Sequence, residues 1–197
     1  ANASVMVRYG DTNVLCTVTA SAKPREGVDF FPLSVDYEEK MYSVGRIPGS
    51  FQRREGRASE KAILTSRCID RPISPLFPKD LRNDCSVVAT VMSVDPDCSP
   101  EIAAMIGVST AIAISDIPWD GPISGVNVGL VDGEIVLNPT LEQRAKTDLN
   151  LTVASTADLV AMIEAGGNEI SDDLMFDCIM AGHEENKKIV KFIQGIV

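Results

Sequence analysis

The residues best suited to chemistry lie at positions 45–57, on a segment framed by glycines and prolines. An aromatic ring there can stack on a nucleobase, while guanidinium groups hold phosphates or stack on rings. A loop suits a single strand better than a duplex, because a duplex groove is normally entered by a helix or a β-ribbon. We therefore expect a site for single-stranded nucleic acid formed by Phe51, Gln52, Arg53, Arg54 and Arg57.

Two further arginines, Arg67 and Arg71, are four residues apart and share one face of a predicted helix. Like charges at this spacing repel each other by roughly 0.2–0.5 kcal/mol unless an anion or an acid lies between them. A phosphate group is one solution, and pairing with Asp70 or with a more distant carboxylate is the other. The loop and the helix together predict a site for the phosphate backbone.

The charge of the chain is unevenly distributed. The net charge is −10, which by itself argues against a polyanionic partner. Residues 46–82, however, hold seven of the ten arginines and two lysines against four acids, whereas residues 148–185 contain nine acids and no lysine or arginine. Screening confines the field of such a basic island to about 10 Å, so the island predicts a local anion site. Alternatively, these arginines pair with acidic surfaces elsewhere on the fold or on a partner subunit.

The remaining polar residues exclude several common enzyme classes. His183 is the only histidine, and the two glutamates after it predict a surface position on a polar helix face, so a histidine-dependent hydrolase is not supported. Asp95 and Asp97 fit a turn, and Asp172 and Asp173 fit a helix N-terminus, better than they fit a metal site. No P-loop or G-x-G-x-x-G motif occurs. A histidine-dependent active site, a metal site and a nucleotide-binding loop of these kinds are therefore not supported by the sequence.

Length and composition predict an ordinary folded domain. Apolar residues make up 45% of the 197 residues and charged residues 23%, which fits one domain over residues 1–197. No apolar run reaches about 18 residues, so we expect no contact with a membrane. Five cysteines without a C-x-x-C pair predict free thiols in a reducing compartment. With no visible targeting signal, we expect a cytoplasmic protein.

The hydropathy pattern predicts an α+β fold with a mixed sheet packed against helices. Apart from one strand at residues 33–37, residues 21–57 are expected to be irregular. Residues 159–164 fit either a strand or a helix. Helices are expected to begin at Ser59, Ser99 and Ser171, and Pro72 limits the first of them. Its apolar stripe is predicted to consist of Ile63, Leu64, Cys68 and Ile69. Strands are predicted at residues 3–9, 14–20, 33–37, 85–94, 126–131, 134–137 and 149–154.

Several long stretches resemble the polynucleotide phosphorylase family. They are YGDTNVL at residues 9–15, DFFPLSVDY at 29–37, GRIPGSFQRREGR at 45–57, IDRPI at 69–73, PLFP at 75–78 and LNPT at 137–140. The similarity extends over essentially the whole chain. It implies the first of two RNase PH-like core domains, which have the ribosomal protein S5 domain 2-like fold. It also implies N-terminal strands before Ala1 and a helical linker domain after the last helix.

The resemblance implies an enzyme activity and its partners. Family members degrade RNA from the 3′ end with inorganic phosphate and release nucleoside diphosphates. The implied partners are single-stranded RNA, inorganic phosphate, the second core of the same polypeptide, two further copies in a homotrimer, and RNA-degradosome components. The loop bearing Phe51, Arg53 and Arg54 is expected to grip RNA in a central channel, although Gln52 replaces a second aromatic residue. Arg67 and Arg71 are expected to hold phosphate or the RNA 3′ end.

The resemblance also implies that the catalysis belongs to the second core. That core would bind Mg²⁺, whereas in this chain Asn150 stands where a metal-binding aspartate is expected and Thr152 stands where a lysine is expected. A neutral amide is a poorer Mg²⁺ ligand than a carboxylate. We therefore expect this half to be non-catalytic.

Two other functions remain open from the sequence. One is a stand-alone RNA-binding or scaffold module, which a second core downstream in the gene would exclude. The other is a self-sufficient phosphorolytic enzyme of the RNase PH type, which needs a complete set of acids and phosphate-binding serines.

Overall fold

The computed structural model describes all 197 residues and contains two four-stranded sheets. The first sheet has the order β1-β2-β4-β3; β3 is parallel to β4, and the other neighbours are antiparallel. This sheet is therefore mixed, as the sequence predicts. Its strands are β1 (Ala3–Tyr9), β2 (Thr12–Pro24), β3 (Leu33–Glu39) and β4 (Asn83–Ser93).

The second sheet is antiparallel throughout, with the order β6-β5-β7-β8. The ambiguous run at residues 159–164 belongs to its edge strand, because it pairs with β7 along most of its length. The strands of this sheet are β5 (Ser124–Val131), β6 (Glu134–Leu137), β7 (Leu149–Ser155) and β8 (Val160–Gly167). The helices are α1 (Glu60–Ile73), α2 (Pro100–Ile114), α3 (Leu141–Lys146) and α4 (Asp172–Ile196).

Each sheet has its own group of buried apolar residues. The larger group lies between the first sheet and helices α1 and α2, and the smaller one lies under α4 on the second sheet. Helix α2 contacts strands of both sheets and is buried on nearly all sides, which explains its small residues. At Gly107 an added Cβ would lie 2.6 Å from Cys16 Sγ, so only glycine permits this close approach. No helix is both long and apolar enough to cross a membrane.

The predicted apolar stripe of α1 is wrong in two of its four positions. Ile63 and Leu64 are 49% and 56% exposed, whereas Ala62 and Thr65 are buried in their place beside Ile69. The predicted and the observed buried faces of α1 differ by about one residue, or 100° of rotation around the helix axis. The pattern of apolar residues alone does not determine which of the two faces is buried. The helix begins after Ser59 as predicted, but it passes through Pro72 and ends at Ile73.

The predicted surface position of His183 is also wrong. The side chain is 5% exposed, and its Nδ1 lies 2.9 Å from Oγ of Ser155, a fully buried residue of β7. The two glutamates that follow in sequence point to other sides of α4, since each residue advances by about 100°. His183 therefore joins α4 to the second sheet.

Replacing Ser155 with alanine is expected to lower the free energy of unfolding by about 1–3 kcal/mol, because a buried ring nitrogen of His183 loses its partner. Ser124 supplies a matched control: it pairs with Ser155 in register and is equally buried, but its Oγ has no hydrogen-bond partner. Ser124→Ala is expected to be nearly neutral. Urea unfolding of both variants measures the difference, and equal losses would contradict the assignment.

Candidate nucleic-acid interface

The segment predicted to bind nucleic acid is an exposed loop that leads into α1. All residues from Gly49 to Lys61 are exposed, and the side chain of Phe51 is as accessible as in an extended peptide. Arg53 adopts a left-handed conformation with φ of 52°, which costs a non-glycine residue roughly 1–2 kcal/mol. An arginine thus occupies a position that glycine would fill with less strain.

The arginines of the loop and of α1 are free of acidic partners. No carboxylate oxygen lies within 4.0 Å of the guanidinium groups of Arg53, Arg54, Arg57, Arg67 or Arg71, although eight ion pairs form elsewhere in the chain. The predicted alternative, pairing with acids of the same chain, is therefore not realised as a close ion pair, although the charges of Arg67 and Arg71 act on Asp70 at longer range. The guanidinium groups are available to an external anion.

Arg54 and Arg57 line a cavity of about 470 Å³ at the base of the loop. Lys40 and Ser59 line the same cavity together with three glutamates, so groups of both charges converge on it. Ser59 caps α1, since its side chain accepts a hydrogen bond from the Ala62 amide at 3.1 Å. The cap fixes the direction in which the loop enters the helix.

Arg67 and Arg71 lie farther along α1 and outside this cavity. Arg67 lines a second cavity of about 400 Å³ between α1 and β3, together with Asp36 and Asp70. Partial burial raises the pKa of Asp70, while the positive charges of Arg67 and Arg71 act in the opposite direction. Since the 14 residues of α1 span about 21 Å and the two cavities contain different arginines, the loop and the helix offer cations at separate points rather than at a single site.

A third cleft of about 440 Å³ contains Asn150 and Thr152, the two residues expected to replace catalytic groups. Thr152 Oγ1 donates a hydrogen bond to Asn127 Oδ1 at 3.0 Å. Glu164 is the one carboxylate that lines this cleft. No cluster of three or more His, Cys, Asp or Glu side chains suited to a metal ion is present in the chain.

The same cleft contains two residues that the sequence did not suggest for this site. Cys68 lies 2.8 Å from Glu164 Oε2, and burial, together with the hydrogen bond and charge of Glu164, raises the pKa of this thiol to about 12. The thiol therefore stays protonated and is a poor nucleophile. Arg144 reaches the cleft from α3, which begins with a capping box of Thr140 and Gln143. That T-x-x-Q pattern was the available signal for this helix.

Lys61 belongs to the basic island, but its ammonium group forms ion pairs with other residues of the chain. Its Nζ lies 2.7 Å from Glu101 Oε1 and 3.5 Å from Glu39 Oε1. Burial favours a raised pKa for Glu101, but hydrogen bonds from Lys61 and Ser99 outweigh it and leave this pKa below its usual value. Lys61 thus joins the first turn of α1 to β3 and α2 and holds the helix that carries Arg67.

Comparison with known proteins identifies related sequences over the full length of the chain. Residues 1–118 match the family described as "3′ exoribonuclease family, domain 1", and residues 121–185 match "3′ exoribonuclease family, domain 2". The polyribonucleotide nucleotidyltransferases of Ruminiclostridium cellulolyticum and Clostridioides difficile are 66% and 61% identical over all 197 residues. The chain spans only 28% of the length of these relatives.

A similar fold occurs in a solved structure, the crystal structure of rice (Oryza sativa) Rrp46. The TM-score is 0.78 with 18% sequence identity, and the alignment covers 98% of this chain and 87% of the other. At this level of identity the likeness concerns the fold alone. It agrees with the RNase PH-like α+β architecture expected from the sequence.

Proposed function

The chain belongs to the 3′ exoribonuclease family, and on that premise we propose that it is the first core of a phosphorolytic 3′-to-5′ exoribonuclease. The whole protein degrades RNA with inorganic phosphate and releases nucleoside diphosphates. Residues 1–197 form one RNase PH-like core that guides RNA and holds phosphate but performs no catalysis. A second core of the same polypeptide and two further copies in a trimer complete the enzyme in the cytoplasm.

One observation carries this role: an exposed aromatic side chain and a set of arginines without acidic partners follow one another from the loop into α1. Phe51 is free to stack on a base, which is worth about 1–3 kcal/mol in single-strand binding proteins. Arg53, Arg54 and Arg57 meet the backbone of an incoming strand. Arg67 and Arg71 meet phosphate near its 3′ end.

In phosphorolysis, inorganic phosphate attacks the terminal phosphodiester, and both partners are anions. Arginine side chains that neutralise their mutual repulsion and hold them in position lower the barrier. The residues of the third cleft do not fit Mg²⁺, because Asn127, Asn150 and Thr152 are neutral and Glu164 is the only carboxylate there. The metal-dependent part of the reaction is therefore assigned to the second core.

The two alternatives from the sequence are weaker. A stand-alone RNA-binding module does not account for relatives of more than three times this length that are named as nucleotidyltransferases. A self-sufficient RNase PH-type enzyme needs an acid set for metal binding, and the third cleft supplies one carboxylate.

Replacing both Arg53 and Arg54 with alanine in the full-length protein is expected to weaken binding of a long unstructured RNA. It should also make the fall of log affinity with log salt concentration shallower. The magnitude of the slope should decrease by about 1.4, since each single-strand phosphate contact contributes about 0.7. Filter binding or fluorescence anisotropy at several salt concentrations measures both quantities.

The matched control removes two positive charges elsewhere. Lys187 and Lys188 on α4 pair with neighbouring glutamates, and their replacement by alanine changes the net charge by the same amount. The control should keep the salt slope of the unmodified protein. An unchanged affinity and slope in the arginine variant would contradict the proposed role of the loop.

A further inference from the structure

Glu55 is an unexpected residue in a loop that binds a polyanion. It is the only acid between Glu39 and Glu60, and its chain neighbours include Arg53, Arg54 and Arg57. A carboxylate at this place repels phosphate and lowers the local positive potential. Its presence calls for a role other than contact with RNA.

The carboxylate has one specific contact. Glu55 Oε1 accepts a hydrogen bond from the backbone N–H of Met41 at 2.7 Å. Met41 begins a short 3₁₀ helix, Met41–Val44, and the first amide groups of such a helix have no acceptor inside it. Glu55 therefore satisfies an amide at the opposite end of the loop and closes the segment between positions 41 and 55.

No other hydrogen bond ties residues 47–57 to the rest of the protein. The remaining hydrogen bonds of this segment are local, from the Arg53 amide to the Ser50 carbonyl oxygen and from Ser50 Oγ to the Arg54 carbonyl oxygen. Apolar packing does not replace them, because Ile47 is 73% exposed and Phe51 is fully exposed. Among hydrogen bonds, only the contact made by Glu55 fixes the position of the loop.

We propose that Glu55 is a positioning residue that fastens the arginine loop to the Met41 amide, so that Arg53 and Arg54 are held in place before RNA arrives. This inference rests on the proposed function of the loop. A loop ordered in advance loses less conformational freedom on binding and so binds more tightly.

Two substitutions in the full-length protein separate position from charge. Glu55→Gln removes the negative charge but keeps a side-chain oxygen that can accept from the Met41 amide, whereas Glu55→Ala removes both. If Glu55 acted only through its charge, both variants would bind an unstructured oligoadenylate equally and more tightly than the unmodified protein. The proposal instead predicts that Glu55→Ala binds about 3- to 10-fold more weakly than Glu55→Gln, with the Gln variant at least as tight as the unmodified protein.

A second measurement needs no RNA. Trypsin cleaves after arginine and requires a flexible substrate segment, so the rate of cleavage after Arg46, which is exposed and nine residues from the substituted position, reports how firmly the loop is held. Faster cleavage in Glu55→Ala than in Glu55→Gln, at an unchanged melting temperature, supports the proposal. Equal cleavage rates and equal RNA affinities of the two variants overturn it. If the cleavage rates differ while Arg53 and Arg54 prove irrelevant to RNA, the positioning role stands and the proposed function of the loop fails.

Discussion

Replacing Arg67 or Arg71 with alanine in the full-length enzyme is expected to lower phosphorolysis of short and long RNA alike, by about 10- to 100-fold. Each guanidinium group is exposed and has no acidic partner, so it is free to make a charge-assisted bond to phosphate. A bond of this type contributes about 1.5–3 kcal/mol, and each 1.4 kcal/mol is a factor of about ten in rate.

Substrate length distinguishes the helix from the loop. An oligonucleotide too short to reach the loop still needs phosphate and its own 3′ end held in place, so variants of Arg53 and Arg54 should mainly affect long RNA. Lys79→Ala is a suitable control, because it removes one exposed charge from the same basic island. If Arg67→Ala and Arg71→Ala turn over a short oligonucleotide at the unmodified rate, the two arginines have no part in the reaction and serve the structure.

The sequence predicts those parts of the fold that local patterns determine. The strands of the β1–β2 and β5–β6 hairpins form at the predicted places, because each pair has turn residues between segments that contain β-branched residues. The edge strand β8 could not be decided locally, because a short apolar run becomes a strand only when a neighbour such as β7 supplies the hydrogen bonds. The same limit applies to Ile63 and Leu64, whose exposure depends on which side of α1 meets the first sheet.

The candidate site is predictable to a similar extent. The loop at residues 45–57 forms as predicted, and binding of RNA by Phe51, Arg53 and Arg54 stays a prediction. The roles of Lys61 and Glu55 could not be read from the sequence, since their partners Glu101 and Met41 lie 40 and 14 residues away. The positive charge of Lys61 would attract RNA, and the negative charge of Glu55 would repel it. The observed contacts of both side chains are nevertheless with other residues of the protein.

Residues 1–197 alone are expected to release no nucleoside diphosphate from oligoadenylate in the presence of phosphate and Mg²⁺. The third cleft offers neutral oxygens from Asn150 and Thr152, and a neutral ligand does not supply the charge with which carboxylates hold Mg²⁺. Its single carboxylate, on Glu164, is hydrogen-bonded to Cys68. His183 is buried against Ser155 and offers no general base at the surface.

The measurement uses labelled phosphate and follows labelled ADP, with the full-length enzyme assayed in parallel and a cooperative unfolding transition as proof that the fragment is folded. Glu164→Gln serves as the control for contamination by host enzyme, because it removes the only acid of the cleft and leaves any contaminant unchanged. Activity that scales with fragment concentration and disappears in Glu164→Gln would contradict the non-catalytic role. In that case the cleft would bind Mg²⁺ with one carboxylate and neutral oxygens, and catalysis would no longer require the second core.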